Sequence, residues 1–240
     1  MFDKVTIVIG ATDESKSLIE SVETIRSICD IADIDSILIV IPPRAEKRCI
    51  DTIDLLMEKY PHFVRKLIQR HPYIGGAMRD SINDVFSSHI MFLSADLPTS
   101  LDCVPIMIES AKSNSCSIVK ISRWLKKDCF YGYNKTRKIF NRIAQTFLKI
   151  LFCSSLTDFT SPVLISPTHI YKKVRFKEWG FPCLLEAVLL PLRMGCEIRE
   201  ISAKCLPRTE GHSKNSTLQT VLYLKTAIRI RLTPKSKLIK

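Results

Sequence analysis

Short apolar runs that stop on turn residues and alternate with helical stretches govern the first half of this 240-residue chain. Lys4–Ile9 (KVTIVI) is β-branched and closed by Gly10, and Ser36–Ile41 (SILIVI) is closed by Pro42-Pro43. Runs so rich in β-branched, apolar residues fit buried strands covered on both faces. Val64–Gln69 reads as a further short strand, and His89–Ser94 (HIMFLS) and Cys116–Ile121 as two more. Between them, Glu14–Cys29 sets Leu18, Val22, Ile25 and Cys29 at helical spacing. Ala45–Lys59 does the same with Ile50, Ile53, Leu56 and Met57. Gly75-Gly76 opens a helix that reaches about Ser87, and Asp102–Ser113 is another. This alternation predicts an α/β domain: a doubly wound, Rossmann-like, mostly parallel central sheet with helices on both faces.

After Ile121 the pattern changes. Arg123–Asn134 is polar and irregular. Arg137–Phe152 reads as a basic amphipathic helix with Ile139, Phe140, Ile143, Phe147, Leu148 and Leu151 as its apolar face. A short strand at Ser161–Ile165 precedes an apolar helix that carries Glu186 and stops at Gly195, and the strand Glu197–Ala203 follows. From about Ser216 the tail is helical in pattern and ends in IRIRLTPKSKLIK. Its apolar face either packs on the domain or rests on an anionic membrane, and the residues leave both open. No repeat or low-complexity linker interrupts the chain. The expected organisation is one domain over residues 1–215 and a basic helical tail over 216–240.

A hydrophobic share of 46% with 25% charged residues suits a globular protein with a substantial core. No run approaches the ~18 apolar residues of a membrane span. The start, MFDKVTIVIGATDE, lacks the apolar region and cleavage site of a signal peptide and reads as a first core strand. Nine cysteines, with no C-x-x-C pair and no zinc spacing, read as reduced, mostly buried thiols of a cytoplasmic protein. The net charge of +12 is uneven. Residues 112–149 carry ten lysines and arginines against Asp128 alone, and residues 204–240 carry nine against Glu210 alone. Such asymmetry points to a polyanionic partner: nucleoside diphosphate, lipid phosphate or anionic membrane. No recognition motif supports nucleic acid.

Ligands of open α/β sheets bind beyond the carboxyl ends of the strands. Those ends here carry Gly10-Ala11-Thr12-Asp13-Glu14, Pro42-Pro43-Arg44 and Ser94-Ala95-Asp96. Near the C-terminus, Arg208, Gly211, Ser213 and Lys214 follow the spacing R-x-x-G-x-S-K. Arginine offers phosphate a planar fork of donors, lysine a point charge, and glycine a close backbone approach. Glu186, inside an apolar helix, is costly to bury without a purpose or a partner, for which Arg193 and Arg208 are the candidates.

Several of these segments are familiar together: VTIVIGATDE, the helix start IGGAMRDS, MFLSADLP, the run Leu156–Ser161, Gly180-Phe181 followed by Glu186, and Glu200-Ile201 leading to the R-x-x-G-x-S-K segment. Over roughly residues 4–214 the chain resembles the family 2 glycosyltransferases with the GT-A fold. The subset it looks most like is the dolichyl-phosphate mannosyltransferase and polyprenyl-phosphate sugar transferase group. The resemblance implies transfer of a sugar, with inversion, from a nucleotide-sugar donor to a polyprenyl phosphate or glycan, at the inner face of a membrane. Gly10, Ala11, Asp13, Glu14, Gly76 and Arg123 would line the donor, Asp96 would hold a divalent Mg or Mn ion, and Arg208, Ser213 and Lys214 would grip phosphate. Asp158 and Glu186 would do the acceptor-side chemistry. Asp13 and Glu14 read equally well as first-turn acids that complement a helix dipole, and Asp96 as the cap of the turn before Pro98.

The chain departs from the family pattern where the donor binds. Ile41-Pro42-Pro43-Arg44 stands in place of D-D-G-S, Ser94 in place of the first aspartate of D-x-D, and Pro162 in place of a glycine. Gly10 and Thr12 replace the proline and tyrosine of the first turn. A binding or scaffold protein of the same fold that has lost turnover is therefore a second expectation. A nucleotidyltransferase is a weaker third, because the first turn lacks a glycine-rich, lysine-bearing loop.

Overall fold

The structure, a computed structural model, describes residues 1–95, 99–126, 129, 135–204 and 217–240. In chain order it forms β1 (Val5–Gly10), α1 (Lys16–Ile28), β2 (Ile34–Ile41), α2 (Lys47–Lys59), β3 (Val64–Ile68), α3 (Tyr73–Asp84) and β4 (His89–Ser94). Then come α4 (Cys103–Ser113), β5 (Ile118–Ser122), α5 (Lys135–Phe152), β6 (Leu164–Pro167) and α6 (Thr168–Lys173). The chain continues through α7 (Pro182–Met194), β7 (Ile198–Ser202) and α8 (Thr217–Leu232). The seven strands form one sheet in the order β3-β2-β1-β4-β6-β5-β7. Only β6 runs against its neighbours, pairing antiparallel with both β4 and β5. The other pairs, β1 with β2 and β4, β2 with β3, and β5 with β7, are parallel. The carboxyl ends of those six strands therefore share one edge.

β1 and β2 are apolar at nearly every position because both of their faces are covered. Val5, Ile7 and Ile9 of β1 and Ile37 and Ile39 of β2 join Leu18, Val22, Ile53, Val104 and Met107 in one core. Val8, Leu38, Val40 and Ile90 point the other way, into a second core with Met78, Val188, Leu189 and Ala227. Gly195, with φ of 88°, is the left-handed stop of α7 that the sequence predicts. α8 lies on α7, with Ala227 and Ile230 fully buried. Beyond it, Val174 and Ile239 form an antiparallel bridge, and Lys240 N donates to Lys173 O at 2.8 Å. One side of α8, with Ala227 and Ile230, and the residues after it thus pack on the domain, whereas Val221, Leu222, Ile228 and Leu232 stay exposed. Cys29, Cys49, Cys103, Cys129 and Cys183 are free and buried, whereas Cys116 and Cys153 are free and exposed. Among the described residues no helix is long and apolar enough to cross a membrane.

Candidate active site

The turn after β1 is held by its own acid. Glu14 Oε2 accepts from Thr12 N at 2.7 Å and from Asp13 N at 3.1 Å. Ala11 N donates to Val40 O and Glu46 N to Thr12 O, so β2 and α2 fix the same turn. Gly10 is exposed, Ala11 is buried, and Asp13 is partly open. At the neighbouring strand ends lie Pro43 and Arg44, both exposed, and Ser94 with the buried Ala95. Asp96 lies outside the described residues, as do Arg208, Ser213 and Lys214.

At the end of β5 the structure brings two expected residues together. Arg123 clamps Asp158 in a two-pronged pair, Nε to Oδ2 at 2.6 Å and Nη2 to Oδ1 at 2.8 Å. Asp158 is fully buried and also accepts from the amides of Arg123, Thr160 and Ser161. Burial pushes its carboxyl up, but the charge and hydrogen bonds of Arg123, with Lys120, pull it well below the usual carboxylate range. Three residues that the sequence reading did not assign to a site complete the arrangement. Glu200 accepts from Thr157 N and Asp158 N at 2.7 and 2.8 Å. Gln145 of α5 accepts from Phe159 N and donates to Thr160 Oγ1. Lys120, fully buried in β5, donates to the carbonyls of Ile121 and Asp158. A lysine inside the run I-V-K-I was the available signal for the last of these.

Glu186 sits elsewhere, on the inner face of α7, and is fully buried. Its oxygens accept from Lys177 N at 2.9 Å, Glu178 N at 2.9 Å and Arg229 Nη2 at 2.6 Å. Burial raises its carboxyl, only partly offset by the Glu178 amide, Arg229 and the Lys177 amide. The cation that reaches it comes from α8, whereas Arg193 donates to Thr233 O instead. Arg229 also pairs with Glu178 Oε1 at 3.0 Å, and Thr226 Oγ1 donates to that same oxygen.

The loop that Glu186 braces rests on the start of α3. Gly75 N donates to Trp179 O at 2.7 Å. A Cβ on Gly75 would stand 2.4 Å from Glu178 O, and one on Gly76 would stand 2.2 Å from His71 O. Arg79 stacks on Trp179 with its guanidinium carbon 3.7 Å from the ring centroid, and donates to Glu178 O. Asp80 closes the other side of α3, accepting from Arg70 N, His71 N and His71 Nδ1. Gly76 therefore lies at a backbone-to-backbone contact.

No family model matches the chain. Its fold is similar to solved structures of glucosyl-3-phosphoglycerate synthase from Mycobacterium tuberculosis. One, in complex with Mn2+, UDP and phosphoglyceric acid, has a TM-score of 0.71 at 14% identity, covering 98% of this chain and 80% of that one. A second, with Mn2+, UDP-glucose and phosphoglyceric acid, has a TM-score of 0.69 at 13% identity, covering 98% and 81%. A third, with Mg2+ and UDP, has 0.69 at 15%, with the same coverage. The seven-stranded, mostly parallel sheet with its flanking helices is the GT-A fold of these structures.

Proposed function

We propose that this chain is a glycosyltransferase that moves a sugar from a nucleoside-diphosphate donor to an acceptor bearing a phosphate. One observation carries this reading: a fold shared over 98% of the chain with synthases that bind UDP-glucose. The turn after β1, Ser94–Ala95 and Arg123 stand at its carboxyl edge. In this reading Gly10, Ala11 and Asp13 face the donor, Glu14 shapes their turn, and Arg208, Ser213 and Lys214 grip phosphate oxygens. The Mn2+ and Mg2+ complexes of the neighbours support a divalent ion here too. No group of three His, Cys, Asp or Glu gathers among the described residues. The sequence offers Asp96 as one carboxylate, and a hard cation that takes the rest of its shell from diphosphate and water fits that donor set. When bound, the ion supplies neutralisation of the leaving diphosphate's charge.

The acceptor follows from the two buried carboxylates. Asp158 and Glu186 have their oxygens filled by internal donors, and both are positioning residues in this reading: one sets the segment at the end of β5, the other the loop against α3. A phosphate oxygen is already anionic and needs placement more than deprotonation. Polyprenyl phosphate and a small phosphorylated acid share that chemistry. The same saturation favours a second reading, a GT-A-fold binding protein without turnover.

Thermal denaturation across UDP- and GDP-sugars with Mn2+ tests donor binding. At least one donor raises the melting temperature, and Asp96→Ala removes the rise; no shift across the panel overturns the proposal. Transfer to polyprenyl phosphate is then compared with transfer to phosphoglycerate. Donor binding with neither transfer nor donor hydrolysis assigns the second reading.

A further inference from the structure

We propose that the outer face of α5, with the adjoining end of α8, docks on an anionic lipid bilayer. The inner face of α5 is fully used. Leu148 is buried, Gln145 holds the Asp158 segment, and Asn141 accepts from Trp124 Nε1. The outer face is not. Ile139, Ile143, Phe147 and Ile150 recur at i, i+4, i+8 and i+11, and Ile139, Phe140, Ile143 and Ile150 are 61%, 66%, 60% and 73% exposed. The apolar residues of α5, which the sequence groups on a single face, thus split into an inward set and an outward stripe. A contiguous apolar stripe left open on a folded domain marks an interaction surface.

Charge selects the occupant. Residues 135–152 and 217–232 contain no Asp or Glu. Arg142 and Lys149 are exposed along one flank of the stripe. α8, in contact with α5, exposes Val221, Ile228 and Leu232 beside Lys225 and Arg231. Where the two helices end, a groove of about 410 Å³ is lined by Ser154, Ser155, Arg193, Arg231 and Lys235. An apolar stripe flanked by cations suits the boundary of a bilayer, where acyl chains take the stripe and anionic headgroups the cations. A two-fold pairing with a second copy would set like rows of cations against each other. Because the inner face of α5 carries the Asp158 segment, docking brings the end of β5 towards the lipid. The proposal is independent of sugar transfer and is tested without donor.

Flotation of the full chain with phosphatidylcholine vesicles, with and without phosphatidylglycerol, provides the test. The chain floats with the anionic vesicles only, and added salt weakens binding. Arg142→Glu lowers partitioning by roughly fivefold or more, and Ile143→Asp with Ile150→Asp abolishes it at an unchanged melting temperature. Phe86→Asp, at an exposed site in the turn before β4, floats like the parent chain. Absence of flotation, or equal flotation with neutral vesicles, overturns the proposal. So does a concentration-dependent dimer that Ile143→Asp dissolves, which assigns the face to a second copy.

Discussion

Burial pushes both Asp158 and Glu186 up, yet the two carboxyls end on opposite sides of the ordinary value, and their partners explain why. Asp158 has a two-pronged arginine, three amides and a nearby lysine, and stays ionised. Glu186 has one guanidinium nitrogen and two amides, and its carboxyl rises. A carboxyl raised by folding contributes stability below its unfolded value and loses it as pH climbs through the folded value. Arg229→Ala removes the cation that holds the rise in check. The variant is expected to lose about 3–5 kcal/mol near neutral pH. The loss shrinks as the medium is acidified towards the ordinary glutamate range and the buried carboxyl takes up its proton. Urea midpoints at the two pH values check this, and a loss that grows in acid would refute it. That Glu186 needs a partner was legible in its apolar surroundings. Which cation answers was not, because Arg229 lies 43 residues away and reaches Glu186 only through the packing of α8 on α7.

At the scale of elements, Gly75-Gly76 marks α3 correctly but for a reason the helical pattern does not contain. The helix begins at Tyr73, and the glycines are there because two backbone segments press against them. Gly75→Ala forces the Glu178–Trp179 loop away and is expected to cost about 1–3 kcal/mol. Gly10→Ala, with nothing within 4 Å of the new methyl, should stay within about 0.5 kcal/mol of the parent. Denaturant unfolding of both variants separates them, and equal costs would contradict the close-contact reading. The strand β6 begins at Leu164 rather than Ser161 because the amides of Thr160 and Ser161 are committed to the Asp158 carboxylate instead of a ladder. At the start of β5, Ser117 N is taken by Asn114 O in a turn. α6, six residues long, is too short to leave a periodic signal.

For the whole molecule, alternation of strands and helices was enough to predict layers and a mostly parallel sheet. It could not order the strands: β6 slips antiparallel between β4 and β5, and four residues hold no signal for direction. The site divides in the same way. Strand ends and acids can be read along the chain, whereas the Arg123–Asp158 clamp and its Glu200, Gln145 and Lys120 supports exist only once β5, α5 and β7 have met. That meeting has a chemical consequence. Lys120 is the only lysine among the described residues with no exposed surface. Burial lowers the basicity of its amine, against the pull of Asp158 and Glu200, and its hydrogens are directed at two carbonyls. A brief pulse of an amine-acylating reagent should therefore mark the exposed lysines at once and leave Lys120 unmodified until β5 parts from its neighbours. Read by peptide mass, the slow acylation of Lys120 should follow the opening equilibrium measured by denaturant, and modification in step with the exposed lysines would contradict the buried placement. The chain thus carries, in one nucleophile, a built-in timer of how often its central sheet comes apart.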